Sequence, residues 1–275
     1  MTTDLDQACL ASIFYHDLFD FPLTSLELIK WRGGKKFSKI DKELEIENKN
    51  GFYFLKGKEK NVPLRIIKKR IAKRKNKIAF KAASLLGTIP WIKFVGITGA
   101  LAMENAEREA DIDLLIITAK GTLWLSRGLA LLLLSLLGIP LRRAKEKEVK
   151  DKICLNMWLE EGNLTWREKE RNVYIAHEIC QVVPLMNKDK VYEEFLFKNN
   201  WIADFWPNAV RIRKIKLLKG RKTKILISLL NKIAFKLQYL YMKTKITKEK
   251  ITLTKAIFHP FDWGEIILSK FKKYE

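Results

Sequence analysis

Apolar residues recur along the chain at helical and at strand spacing by turns, and the changes of spacing divide it into four regions. In residues 1–62 a helical stretch over 8–19 is broken by Asp20-Phe21-Pro22. Thr24 then caps a second helix reaching Trp31 and ended by Gly33-Gly34. Ser38 is placed to cap a third helix over 39–46, Asn50-Gly51 signals a turn, residues 52–55 (FYFL) read as a strand, and Gly57 turns again. Residues 63–90 open with Pro63 at a helix start and place Leu64, Ile67, Ile71, Ile78 and Ala82 near helical spacing, with basic residues and no acid between them. Residues 91–165 alternate strand (91–98), loop, strand (112–118), helix (122–137) and strand (153–159). Residues 166–275 read as mostly helical, with helices near 166–183 and 191–205 and a basic tail helix beyond the break at Trp206-Pro207-Asn208.

These patterns predict an N-terminal winged-helix-like module (1–62), a basic connecting helix (63–90), an α/β core (91–165) and a basic helical C-terminal region (166–275). Among the 275 residues Lys and Arg outnumber Asp and Glu by 53 to 31, a formal charge of +22, and 48% are hydrophobic, enough to build real cores. Such a charge points to polyanionic partners: RNA, DNA, nucleotides or an anionic membrane face. Lysine-rich composition throughout the chain is the other source of the same excess. The third helix (39–46) is acidic, which argues against ordinary insertion into a duplex groove.

The candidate chemistry lies at residues 96–118, GITGALAMENAEREADIDLLIIT. The first core strand ends at Thr98-Gly99-Ala100, where glycine allows backbone to approach a phosphate that a side chain would keep away. The second strand starts at Asp111-Ile112-Asp113, and alternation puts both carboxylates on one face. Two carboxylates side by side on an apolar strand are costly unless a cation joins them, and Mg²⁺ is a hard, oxygen-seeking candidate.

The segment resembles the nucleotidyltransferase superfamily, the DNA polymerase beta-like domain included. Its signature is an apolar residue, Gly, then Gly or Ser, about nine to thirteen residues, and Asp-x-Asp between apolar residues. Here Gly99-Ala100 is followed by ten residues and then Asp111-Ile112-Asp113. The layout of the whole chain also resembles stand-alone nucleotidyltransferase-domain proteins. The resemblance implies a mixed sheet with flanking helices, a nucleoside triphosphate held at Thr98, Gly99 and Ala100, and two Mg²⁺ ions on Asp111 and Asp113. It implies transfer of a nucleoside monophosphate to an acceptor.

Two positions depart from the signature. Ala100 lacks the hydroxyl of Ser, and the strand expected to carry a third acid offers Asn156, which can ligate a metal but cannot accept a proton at neutral pH. Glu160 and Glu161, just past that strand, are the nearest substitutes in sequence. The alternative is therefore a catalytically impaired nucleotidyltransferase-fold protein acting as a nucleic-acid-binding or regulatory module.

Other residues carry weaker signals. His16, His177 and His259 have no sequence partner at metal or triad spacing, and Cys9, Cys154 and Cys180 are too far apart for a CxxC site and read as buried thiols. Arg127, Arg142, Arg143 and Lys93 are phosphate candidates by charge alone. The basic stretches 63–81 and 211–250 favour RNA or DNA as partner. The apolar run 128–141 is too short to span a bilayer, so a buried helix is expected; a peripheral membrane protein using this leucine-rich helix and its basic flanks is the weaker alternative. An acidic N-terminus without a signal-like apolar stretch suggests the cytoplasm.

Overall fold

The computed structural model describes residues 6–37, 45–214, 224–244, 246–258 and 263–271. The N-terminal module holds α1 (Gln7–Asp17), whose Asp6 cap accepts from the Cys9 N–H, a two-residue strand β1 (Leu23–Thr24), and α2 (Ser25–Lys30). Thr24 and Glu27 satisfy each other's backbone donors at the start of α2 as a capping box. β2 (Ile46–Lys49) and β3 (Phe52–Leu55) follow, joined by Asn50 and Gly51, both at positive φ as a two-residue hairpin turn requires. The strand order is β1-β3-β2. Most of the third helix expected at 39–46 lies outside the described residues, but its end is corrected: Ile46 pairs with Leu55 in the hairpin.

α3 (Asn61–Leu86) is one 26-residue helix. The expected apolar face is rotated by about one residue. Leu64 and Ile67 point to solvent, while Ala72, Ala79, Ala82, Ala83 and Leu86 are buried. Small side chains let the helix axis come close to the sheet, so alanines occupy the seam that the larger isoleucines flank.

The core sheet is built from β4 (Ile92–Ile97) and, after the short helix α4 (Gly99–Ala102), β5 (Ile112–Thr118). Beyond α5 (Leu123–Leu136) comes β6 (Ile153–Glu160), followed by α6 (Val173–Cys180) and β7 (Val183–Asn187). α7 (Val191–Lys198) and α8 (Ile225–Met242) precede β8 (Lys250–Ile251), β9 (Lys255–Ile257) and α9 (Trp263–Phe271). The order is β7-β4-β5-β6-β9-β8, with β5 and β6 parallel and the other neighbours antiparallel, which makes the sheet mixed.

The mostly helical reading of residues 166–275 is corrected in part, because the described residues of that region include the strands β7, β8 and β9 beside its helices. The first of its expected helices ends at Cys180, and the second stops at Lys198, with a 3₁₀ turn over Asn200–Asp204. β7 contains Pro184, which an edge strand tolerates because one side of its backbone needs no partner.

Alternation along β5 separates two cores. Leu115 and Ile117 face a layer that includes α1, α2, α6 and α7, whereas Ile112, Leu114 and Ile116 face α3 and α5. An ion pair from a fully buried lysine ties α3 to the start of β5. Lys75, fully buried, donates to the Asp151 carboxylate at 2.8 Å and to the Ala110 carbonyl at 2.5 Å. Arg65 is likewise buried, bonded to Glu27 at 2.8 Å and lying 3.9 Å over the Phe21 ring, so it joins α3 to the N-terminal module.

Removing one partner of a buried pair strands the other charge. Asp151→Asn is expected to lower the unfolding free energy by about 2–4 kcal/mol. Adding Lys75→Met should recover part of that loss in urea unfolding. Strictly additive losses would show that the two residues do not act as a unit.

Candidate functional site

The site grows from the place where β4 ends. Thr98 is still extended, and Gly99 turns the chain with φ +62°. A Cβ at Gly99 would stand 2.8 Å from Asp113 Oδ2, so both the backbone angle and the space call for glycine. The Thr98 N–H donates to the Asp113 carbonyl at 3.0 Å and fastens this turn to β5.

Asp111 and Asp113 flank Ile112, whose side chain is buried on the opposite face. Both carboxylates line a cavity of about 490 Å³ together with Thr98, Gly99 and Ala100. Arg142 donates to Asp111 Oδ2 at 2.6 Å. Its position is set by the Leu141–Ile153 bridge and by its own N–H bonded to the Ile153 carbonyl. Asn156 Nδ2 donates to Asp113 Oδ1 at 2.6 Å, which leaves Asn156 Oδ1 buried without a hydrogen-bond partner.

Cys154, the register partner of Asp113 on β6, completes a group with Asp111 and Asp113 in which one ligand atom from each lies within 4.8 Å of the others. Two oxygens and a sulfur so close, beside an orphaned amide oxygen and a glycine cradle, fit a divalent cation. The sulfur widens the range of ions beyond the hard oxygen-seeking ones.

The far wall of the cavity comes from α1 and α6. Glu178 lies there, hydrogen-bonded to Gln181 Nε2 at 2.6 Å, as do His16 and His177. A second cavity of about 460 Å³ shares Thr98, Tyr174, Glu178 and Trp263 with the first and reaches Trp166, Lys169 and Lys250.

Burial governs the protonation of these groups. Desolvation first, and then the neighbouring Asp111, push the Asp113 carboxyl up to about 7, against the lowering effect of the Cys154 hydrogen bond and Arg142. Desolvation and then Asp113 push Glu178 to about 8. Burial lowers His16 to about 4 and carries His177 well below its ordinary value.

Several expectations change. His16 and His177 are not isolated, since their Nε2 atoms are 3.3 Å apart and Trp31 stacks on His177 at 4.2 Å. Each is hidden in an aromatic core with Tyr15 and Trp206. His259 lies outside the described residues. Cys9 and Cys154 are only partly buried, and Cys180 alone of the three thiols is fully so.

Glu160 and Glu161 do not reach the aspartates. β5 and β6 are parallel, Glu160 pairs with Thr118, and that is five residues along β5 from Asp113, roughly 16 Å at the usual rise. Arg127 bonds Gln238 at 2.6 Å and Lys93 pairs with Asp189, and neither lines the cavity. Of the basic candidates, Arg142 is the one that does.

Sequence reasoning missed Cys154 and Glu178. Cys154 was legible, because it stands two residues before Asn156 on a strand. Glu178 was legible only as the lone acid of a helix whose Ala176, His177, Ile179 and Cys180 are buried. No protein-family model, no curated protein and no solved structure matches the chain.

Asp113 has a folded-state pKa above its unfolded one, so its contribution is favourable at low pH and is lost as pH rises through about 7. In chelator, the stability of Asp113→Asn relative to the parent should therefore increase between pH 5 and 8 when followed by denaturant midpoints. A difference independent of pH would mean that Asp113 ionises like an exposed carboxyl. Gly99→Ala should cost about 1–3 kcal/mol in the same assay, from the left-handed backbone and the crowding of Asp113.

Proposed function

We propose that the chain is a nucleotidyltransferase-fold protein that binds a nucleoside triphosphate with a divalent cation in the 490 Å³ cavity and transfers the nucleoside monophosphate to an acceptor. The observation that carries this reading is the seating of the Gly99 turn against Asp113, with Asp111 beside it, at the mouth of a sheet. That volume suits a nucleotide-sized ligand. The Thr98, Gly99 and Ala100 backbone would take the phosphates. Asp111, Asp113 and Asn156 Oδ1 would hold Mg²⁺, which when bound offsets the charge developing on the triphosphate oxygens.

The acid missing from β6 is supplied in this reading by Glu178 from α6. An acceptor oxygen attacks the α-phosphorus, the bond to the β-phosphate oxygen breaks, and pyrophosphate leaves. The acceptor's proton passes to the Glu178 carboxylate. A carboxyl held near 8 is a capable base only in alkaline solution, so the rate should rise with pH through that value. Arg142 orients Asp111 through its 2.6 Å ion pair.

Among the described residues, α1, α2 and the β1-β3-β2 sheet support a winged-helix-like module, and His16, Phe19 and Phe21 from it line the cavity. Exposed Arg70, Lys73, Lys77 and Lys81 on α3 favour a nucleic-acid acceptor.

A second reading rests on Arg142 and Asn156. These two donors already satisfy both aspartates, as they would in a catalytically impaired nucleic-acid-binding or regulatory module built on the same fold.

Labelled nucleoside triphosphates, incubated with total RNA and Mg²⁺, Mn²⁺ or Zn²⁺, separate the two. Incorporation is expected with the parent and should fall at least about 100-fold in Asp111→Asn/Asp113→Asn. Glu178→Gln should keep nucleotide affinity but lose turnover. RNA binding that persists in the double variant, with no nucleotide binding by the parent, would establish the second reading.

A further inference from the structure

The helix α8 is docked through Asn231 and Gln238 as well as through Ala234, Phe235 and Met242. Asn231, buried, accepts from the backbone N–H groups of Trp124 at 2.8 Å and Leu125 at 3.1 Å, capping the first turn of α5 with a side chain from another helix. Gln238, two turns further along, donates to the Trp124 carbonyl at 2.8 Å and accepts from Arg127 at 2.6 Å. These bonds fix the rotation of α8 about its axis. They leave Leu226, Leu229, Leu230, Ile233, Leu237 and Leu240 facing outward, with Leu226 and Leu237 about two-thirds exposed (66% and 64%).

The outward leucines form a continuous stripe, because positions 226, 229, 230, 233, 237 and 240 follow helical spacing. On α5, packed alongside, Leu132 and Leu136 are also exposed, which corrects the expectation that the run 128–141 is simply buried. Lys232, Lys236 and Lys243, all exposed, lie on one flank of the stripe at i, i+4 and i+11. From residue 205 to residue 248 the sequence has 13 Lys or Arg and no Asp or Glu. No helix among the described residues is long and apolar enough to cross a membrane.

We propose that the outer face of α8 with α5 is a docking surface for an anionic lipid bilayer, on which α8 lies flat in the interface. The charge decides among occupants. An 18-residue helix presents about 27 Å of apolar stripe, which suits insertion to the depth of the acyl boundary, and its lysine flank would then stand among the headgroups. A second copy would bring +22 against +22 and lysine against lysine across an isologous contact. Nucleic acid would reward the lysines but leave the leucine stripe in water, so the phosphate-binding role expected of 211–250 does not fit this face.

Flotation of the full chain with vesicles tests this directly. Vesicles of phosphatidylcholine with one-quarter phosphatidylglycerol should bind the protein, and pure phosphatidylcholine vesicles should bind it far more weakly. Leu229→Gln/Ile233→Gln/Leu237→Gln should weaken binding by more than about tenfold. Lys232→Gln/Lys236→Gln should weaken it about twenty-five-fold, at roughly fivefold per lysine. Both sets of positions are exposed, so thermal unfolding of the variants should match the parent. The proposal is overturned by absence of binding to anionic vesicles at low salt, or by an apolar variant that binds like the parent. It is equally overturned by sedimentation showing a dimer that the apolar variant dissolves, or by RNA affinity that falls with the leucines while vesicle binding does not.

Discussion

Two carboxylates must be kept at the entrance of an otherwise apolar central strand, and most of the local architecture answers that requirement. Asp113 is enclosed enough for desolvation to raise its pKa to about 7, and Asp111 adds repulsion. The opposing attractions come from separate parts of the chain: Arg142 from the segment after α5, Asn156 and Cys154 from β6. The strand start itself is held by Lys75, whose ammonium bonds the carbonyl of Ala110, the residue before Asp111. A buried amine so close to the aspartates, bonded to Asp151 and to backbone and not to them, fixes the chain without neutralising the site.

The same constraint explains why the N-terminal module belongs to the site. The two aspartates project from the side of the sheet covered by α1, α2 and α6, so those helices determine what reaches them. Their junction is an aromatic cluster in which His16 and His177 meet as buried, neutral imidazoles under Trp31 and Trp206. Arg65 continues the connection from the other side, linking α3 to Glu27 and to the Glu104 carbonyl in the loop after α4. Module and core share one hydrophobic interior.

The far side of the sheet follows a different logic. There α3 packs through alanines and α8 through Asn231 and Gln238 together with Ala234, Phe235 and Met242, so that in both helices several residues that look like a packing face from spacing alone are turned outward. Two backbone donors at the start of α5 need partners, and an amide from a distant helix satisfies them.

Local chemistry was enough to read much of this protein from its residues. Alternation and turn signals located β4, β5, α5 and β6 to within a residue or so. The Gly99 turn and the Asp111-Ile112-Asp113 spacing placed two carboxylates on one face, because strand geometry leaves no other arrangement. What tertiary structure decided is everything that depends on register and on partners distant in sequence. The parallel pairing of β5 with β6 put Cys154 and Asn156 beside Asp113 and carried Glu160 to the opposite end, a choice no property of either strand alone determines. Glu178 entered the cavity, and His16 met His177 across 161 positions, because α1 and α6 cover the same face. β7, β8 and β9 were illegible because such short strands carry almost no periodic signal and form only when a neighbour offers its free edge. The sequence by itself set which groups could carry chemistry; packing decided which of them meet, because side chains far apart along the chain are neighbours only through the elements that bury them.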